Sequence, residues 1–151
     1  MATLVYDTIP KSELAFSQLN VAIGLFAGSK EYPAVITLAG AAEEIYGKLV
    51  QQKGGKTALK EISERLCEMH RAAFNEEPNE KDYVNLRNRT KNELKHIGTG
   101  GDLTADLEYE ASELLERALH NYREYTGSHH PHLPEFMSKT RSMWASRSML
   151  G

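Results

Sequence analysis

The chain has 151 residues, enough for one domain with a buried core, and its 40% hydrophobic and 26% charged residues are typical of a globular protein. A formal net charge of −3 excludes broad, non-specific binding of nucleic acids, so a nucleic-acid role requires a local basic patch. The single cysteine, Cys67, excludes an intrachain disulfide. Because neither a signal-peptide pattern nor an apolar run of about twenty residues is present, we expect a cytoplasmic protein without membrane contact.

Apolar residues recur at helical spacing along most of the chain. The first predicted helix begins after Pro10 and ends at Gly28, because proline is tolerated at a helix start and glycine favours a helix end. The second begins near Pro33 and ends at Gly54. Thr57 is a suitable N-cap for the third helix. The remaining predicted helices are a fourth over residues 80–97, a fifth over 104–125 and a short last one over 135–149.

These segments predict an all-α fold, an antiparallel up-and-down bundle of about five helices with a short C-terminal helical appendage. The bundle covers residues 1–127. Residues 128–151 form a loop rich in proline and histidine and a docking segment of the same domain. Within the second helix Gly40 is flanked by alanines, which predicts a close helix crossing, either inside one chain or between two copies.

The fourth predicted helix carries two different faces. At about 100° per residue, polar side chains lie within roughly 60° of one another on one face: Asn85, Arg89, Asn92 and His96. An apolar face lies about 120° away and gathers Tyr83, Leu86, Thr90, Leu94 and Ile97. Such a polar face carries groups that suit phosphate chemistry. Arginine forms bidentate hydrogen bonds to phosphate oxygens, and histidine gains or loses a proton near neutral pH.

Metal-independent cleavage of RNA requires a base, an acid and a cation that stabilises the developing phosphorane charge. We therefore predict three catalytic residues on this face: Arg89 for the charge, His96 as acid or base, and Asn92 to orient the phosphate or His96. Lys91, Lys95 and Arg87 flank the face and make the helix locally basic. The competing interpretation is an ordinary solvated helix face, since an arginine followed by a histidine at similar spacing recurs elsewhere in the chain.

The segment Arg89-Thr-Lys-Asn-Glu-Leu-Lys-His96 resembles the signature of HEPN domains, which is an arginine, four to six residues and a histidine. HEPN domains are helical bundles of prokaryotic toxin, defence and RNA-processing systems. Thr90 occupies the position after the arginine, where the family more often has Asn, Asp or His. Arg87-Asn88 has the more typical pair but lies farther from His96, so Arg87 and Arg89 both remain candidates for the functional arginine.

The second helix is also similar to the small-residue helix of HEPN domains, which ends in Glu and Lys, and the likeness in helix order covers residues 10–126. The resemblance implies a homodimer in which two signatures face a shared cleft and cleave RNA without a metal. The alternative is a non-catalytic HEPN-like module that binds a protein or nucleotide partner.

A carboxylate–histidine metal site is a further alternative. Glu93 and His96 form a Glu-x-x-His pair, and Glu43 and Glu44 supply carboxylates from the second helix. A di-iron bundle needs two such pairs, and the sequence has one, so we expect Glu43 and Glu44 to be exposed charges or partners of Lys48. The loop histidines are expected to bind metal only adventitiously: His129, His130 and His132. We predict no metal and no cofactor.

Overall fold

In a computed structural model that describes residues 2–96 and 100–149, the chain forms an all-α bundle, as predicted. The described helices are α1 (Lys11–Gly28), α2 (Tyr32–Gln52), α3 (Ala58–Phe74), α4 (Glu80–Lys95), α5 (Leu107–Thr126) and α6 (Leu133–Ser148). None of these six combines the length and the apolarity needed to cross a membrane.

Local sequence signals explain most helix ends. Pro10 precedes α1, and the Thr57 side chain accepts a hydrogen bond from the Lys60 N–H at 3.2 Å at the start of α3, which confirms the predicted cap. At the end of α5, Gly127 adopts φ 76° and its N–H donates to the Arg123 carbonyl at 2.8 Å. Glycine is favoured there because it has no Cβ to clash in the left-handed region.

Three predicted boundaries were wrong. α4 ends at Lys95, and His96 follows it in extended conformation (φ −133°, ψ 149°), while Ile97 lies outside the described residues. α5 begins at Leu107 instead of Thr104, because the Asp106 side chain caps it by accepting the Tyr109 N–H at 3.1 Å. α6 begins at Leu133, before the predicted start at Glu135.

The core lies between α1, α2 and α5, with α2 packed against both of its neighbours and against α4. Its largest fully buried apolar side chains are Leu19, Ile23, Phe26, Ile36, Tyr46 and Leu115. The last helix packs against α1 and buries Phe136, whose ring centroid lies 5.8 Å from that of Phe26. The C-terminal helix therefore docks on its own bundle.

Gly40 lies where α2 meets α4 and α5. A Cβ atom at this position would approach Lys91 Cδ to 2.7 Å and Leu114 Cδ2 to 3.4 Å. The predicted close crossing is therefore made within one chain. It keeps the α4 backbone near α2 and lets the Lys91 side chain extend along the α2 surface.

A pair of glycine substitutions tests this close contact. We expect Gly40→Ala to lower the free energy of unfolding by about 1 kcal/mol, because the clash with Lys91 outweighs the gain in helix propensity. Gly24→Ala is the matched control in α1, where an added Cβ meets nothing within 4 Å. It should raise that free energy by about 0.5–1 kcal/mol. Urea denaturation measures the free energy of unfolding of both variants. Equal changes in the two variants would contradict the close contact at Gly40.

Candidate functional site

The predicted catalytic residues Arg89, Asn92 and His96 are all exposed in the structure. Arg89 and Asn92 lie on the outer surface of α4. His96 has left the helix, so the three residues do not form a continuous helical stripe. The His96 backbone N–H still donates to the Asn92 carbonyl at 3.1 Å. This bond ties the position of His96 to the last turn of α4.

Arg89 and His96 both lie against the connection between α4 and α5. Arg89 Nη2 donates to the Thr104 carbonyl at 3.4 Å. His96 lines a shallow cavity of about 350 Å³ together with Leu103 and Gly101 from the same connection. Both residues therefore lie beside the connection, Arg89 at Thr104 and His96 at Gly101 and Leu103.

Glu110 of α5 is a neighbouring acidic group that the sequence analysis missed. Burial and repulsion from Glu113 raise the pKa of its carboxyl above the usual range, while a hydrogen bond from Thr90 and the charges of Arg87 and Arg89 oppose this rise. Carboxyl groups with a raised pKa are candidates for proton transfer near neutral pH. No pattern in the sequence indicates this proximity, because it arises from the packing of α4 on α5.

The inward side of α4 carries the charge of Lys91 beside part of the predicted apolar face. Lys91 is only 6% exposed and Thr90 3%, whereas Leu86, predicted to be buried, is 63% exposed. Tyr83 and Leu94 are half-buried. The prediction was wrong for Leu86 and Lys91 because partners on α2 and α5, which helical periodicity does not reveal, neutralise charge on the inner side.

A buried ionic cluster, here called the Glu43 cluster, joins α2, α4 and α5 through Glu43, Asn88, Lys91 and Arg117. Glu43 Oε1 accepts from Arg117 Nη2 at 2.8 Å, and Glu43 Oε2 lies 3.5 Å from Lys91 Nζ. Arg117 Nη2 also donates to Asn88 Oδ1 at 2.9 Å. The three charged side chains are each at most 6% exposed. In so dry a site an unpaired charge is costly, so the three hold one another in place.

The expectation that Glu43 and Glu44 are both exposed or pair with Lys48 was wrong for Glu43. Glu44 is exposed and accepts from Lys91 Nζ at 2.9 Å and from Lys95 Nζ at 3.3 Å. Burial raises the pKa of its carboxyl, but these two ammonium groups outweigh burial and lower that pKa below its usual range. Both carboxylates are therefore engaged by cations.

The structure also separates the two candidate arginines. Arg87 is half-buried and its Nη1 donates to Glu113 at 3.1 Å, and its neighbour Asn88 binds Arg117. Among the residues that the structure describes, Arg87, Lys91 and Lys95 of α4 form salt bridges and Arg89 forms none. Arg89 is thus the arginine of the two that faces solvent, and the locally basic surface predicted for α4 is largely neutralised.

A polar cavity of about 340 Å³ lies beside the Glu43 cluster, between α3, α4 and α5. Its walls include Arg87, Arg117 and His120, and each has a buried nitrogen without a hydrogen-bond partner among the described residues. Cavities of this size with several polar partners hold ordered water. This cavity has the size and the polar partners that buried water requires.

The loop histidines lie in three different environments. His130 is 3% exposed, with its ring 5.0 Å from that of Phe16 and 5.1 Å from that of Tyr122. Burial, together with repulsion from His132, lowers the pKa of His130 to about 4. His132 Nδ1 lies 2.9 Å from Glu135 Oε1, and His129 is exposed. Within residues 2–96 and 100–149, no three His, Cys, Asp or Glu side chains are arranged to hold a metal ion.

No model of a protein family, no curated protein and no solved structure matches the chain. The resemblance to HEPN domains therefore rests on the residues quoted above and stays a prediction. The catalytic roles of Arg89, Asn92 and His96 stay predictions as well.

Two substitutions at neighbouring positions test how much the Glu43 cluster contributes to the free energy of unfolding. Glu43→Gln should lower the free energy of unfolding by about 3 kcal/mol, because it leaves the buried Arg117 guanidinium without its carboxylate and Lys91 with Glu44 alone. Glu44→Gln, one residue away but exposed, should cost less than about 1 kcal/mol. Chemical denaturation of both variants measures the difference. A Glu43→Gln protein as stable as Glu44→Gln would show that the cluster is dispensable.

The buried His130 predicts a pH dependence of stability. Its folded pKa of about 4 lies below the ordinary value of 6.5, so the unfolded chain binds the proton first as pH falls. The free energy of unfolding should therefore decrease between pH 6.5 and 4, by up to about 1.4 kcal/mol per pH unit from this group. His130→Phe should flatten that slope relative to the unmodified protein, and His129→Phe should not. Thermal unfolding across this range distinguishes the two.

Proposed function

We propose that the chain is a HEPN-like endoribonuclease that acts as a homodimer without a metal ion. The observation that carries the proposal is the placement of Arg89 and His96, both exposed, against the same α4–α5 connection. Within residues 2–96 and 100–149 Arg89 forms no salt bridge, whereas Arg87, Lys91 and Lys95 of the same helix do. A phosphate on this surface meets an exposed guanidinium that is bonded to the Thr104 carbonyl and has Glu110 as an acidic neighbour.

The chemistry follows from these groups. The ribose 2′-oxygen attacks the phosphorus and gives its proton to one imidazole, and the bond from phosphorus to the 5′-oxygen breaks. A second imidazole gives a proton to the leaving oxygen, which yields a 2′,3′-cyclic phosphate and a free 5′-hydroxyl. Arg89 stabilises the added negative charge of the phosphorane. Since each copy contributes one His96, two copies around a two-fold axis supply both imidazoles.

Asn92 acts in this proposal as a positioning residue. Its carbonyl accepts the His96 N–H, and its exposed side chain lies between Arg89 and His96 along the chain. The amide is therefore placed to orient the phosphate while the backbone holds His96.

The second candidate is a non-catalytic interaction module, and exposed apolar side chains on the α3–α4 hairpin favour it. Phe74 is 66% exposed, Leu86 63% and Met69 61%. Large exposed apolar side chains concentrated on one helical pair are typical of surfaces that bind other proteins. In this function α4 provides a docking surface and His96 has no chemical role.

Incubation of the protein with single-stranded RNA in EDTA tests the proposal. We expect cleavage with cyclic phosphate ends, a loss of about 100-fold or more in rate for His96→Ala, and a loss of similar size for Arg89→Ala. His129→Ala and Arg71→Ala are the controls, since both residues are exposed and lie outside α4 and the α4–α5 connection. They should cleave normally.

Cleavage that survives His96→Ala at the original rate would overturn the mechanism. If the unmodified protein cuts no RNA under any salt condition, the nuclease proposal fails and the interaction module takes its place.

A further inference from the structure

A groove of about 590 Å³ runs between α5 and α6, on a part of the molecule that the proposed chemistry does not use. Its apolar wall is formed by Leu119, Leu133, Phe136, Met137 and Trp144. Trp144 is 50% exposed and Met137 46%. Large side chains of this type lose solvent contact favourably when an apolar partner covers them.

The groove also carries positive charge. Arg123, Arg141 and His129 line it, with Glu116 as an acidic neighbour. Arg123 is paired with Glu124 at 3.2 Å, whereas the exposed Arg141 forms no salt bridge with any residue that the structure describes. A ligand that is mainly apolar and has one negative charge therefore matches this surface.

The chain itself contains such a segment, residues 2–10, here called the arm. Every residue of the arm is exposed, including Leu4 (74%), Val5 (85%), Tyr6 (84%) and Ile9 (47%). Asp7 is its one charged side chain. Four apolar side chains in water are a free-energy cost that docking removes.

The arm enters α1 through an extended junction. Pro10 has φ −56° and ψ 141°, and proline restricts the preceding Ile9 to extended conformations. In extended form a nine-residue segment spans about 30 Å. The 16 residues of α6 extend over about 24 Å, so the arm is long enough to follow the groove.

We propose that the arm of one copy binds in the α5–α6 groove of a second copy, with Leu4 and Tyr6 against the apolar wall and Asp7 beside Arg141. The exchange is reciprocal, so two arms fill two grooves around a two-fold axis and the assembly closes as a dimer. Formation of this dimer does not depend on RNA cleavage. A protein that dimerises through the arm but cuts no RNA is therefore distinguishable from a protein that cuts RNA without forming this dimer.

Light scattering after size exclusion is the first test. The unmodified chain should have the mass of a dimer, and a variant lacking residues 2–9 the mass of a monomer with the same helix content. Leu4→Ser with Tyr6→Ser should behave like the truncated protein. Val21→Ser, which changes a 49% exposed residue on α1, is the matched control and should stay dimeric. A truncated protein that remains a dimer overturns the proposal, as does an unmodified chain that is monomeric at every concentration.

Trp144 is the only tryptophan of the chain, so its fluorescence reports directly on the groove. Dilution of the unmodified protein should shift the emission to longer wavelength as the arm leaves, and the truncated protein should show the shifted emission at all concentrations. An emission that differs between the two proteins but does not change on dilution would place the arm in its own groove and overturn the exchange.

Reversing the charges of Asp7 and Arg141 tests the position of the arm within the groove. Asp7→Arg alone and Arg141→Asp alone should each weaken dimerisation by about tenfold, since two reciprocal pairs are lost, and the double variant should recover the original affinity. Failure of the double variant to recover would contradict the contact between Asp7 and Arg141. RNA cleavage measured in parallel separates this result from the nuclease proposal.

Discussion

The buried contact between Glu43 and Arg117 is the constraint that organises the bundle. A carboxylate and a guanidinium, both nearly inaccessible to water, meet at 2.8 Å between α2 and α5, and Lys91 of α4 joins them with Glu44 as its second carboxylate partner. Each charge removed from water is costly unless its partners are in place, so the three helices must approach one another in a single register. Gly40 permits this approach because it leaves room for the Lys91 side chain beside α2.

The orientation of α4 follows from that cluster and determines what the helix shows to solvent. With Lys91 and Asn88 turned inward, Arg89 and Asn92 must lie on the outer side, and Leu86 is exposed with them. The same orientation of α4 places Arg89 against the α4–α5 connection. His96 lies beside this connection, just after the helix ends. The candidate chemistry at the surface is thus a consequence of buried charges on the opposite side of the helix.

Much of the fold could be predicted because its signals are local. Pro10, Thr57 and Gly127 mark helix ends through backbone chemistry that depends on a few neighbouring residues. The candidate site was predicted less completely. Residues Arg89, Asn92 and His96 were found from an assumed helix through position 97, whereas the observed helix ends at Lys95. Glu110 was missed because its proximity to Arg89 arises between helices.

By itself the sequence determined that this protein is helical and where most helices begin and end, because helix caps and apolar periodicity act over a few residues. Only the tertiary structure decided which charges are buried. Glu43 looks like a surface residue along the chain and becomes an interior residue because Arg117, far away in sequence, supplies the compensating positive charge. Lys91 is buried in turn against the carboxylates of Glu43 and Glu44. Charge compensation acts between helices, and no local pattern encodes the partner.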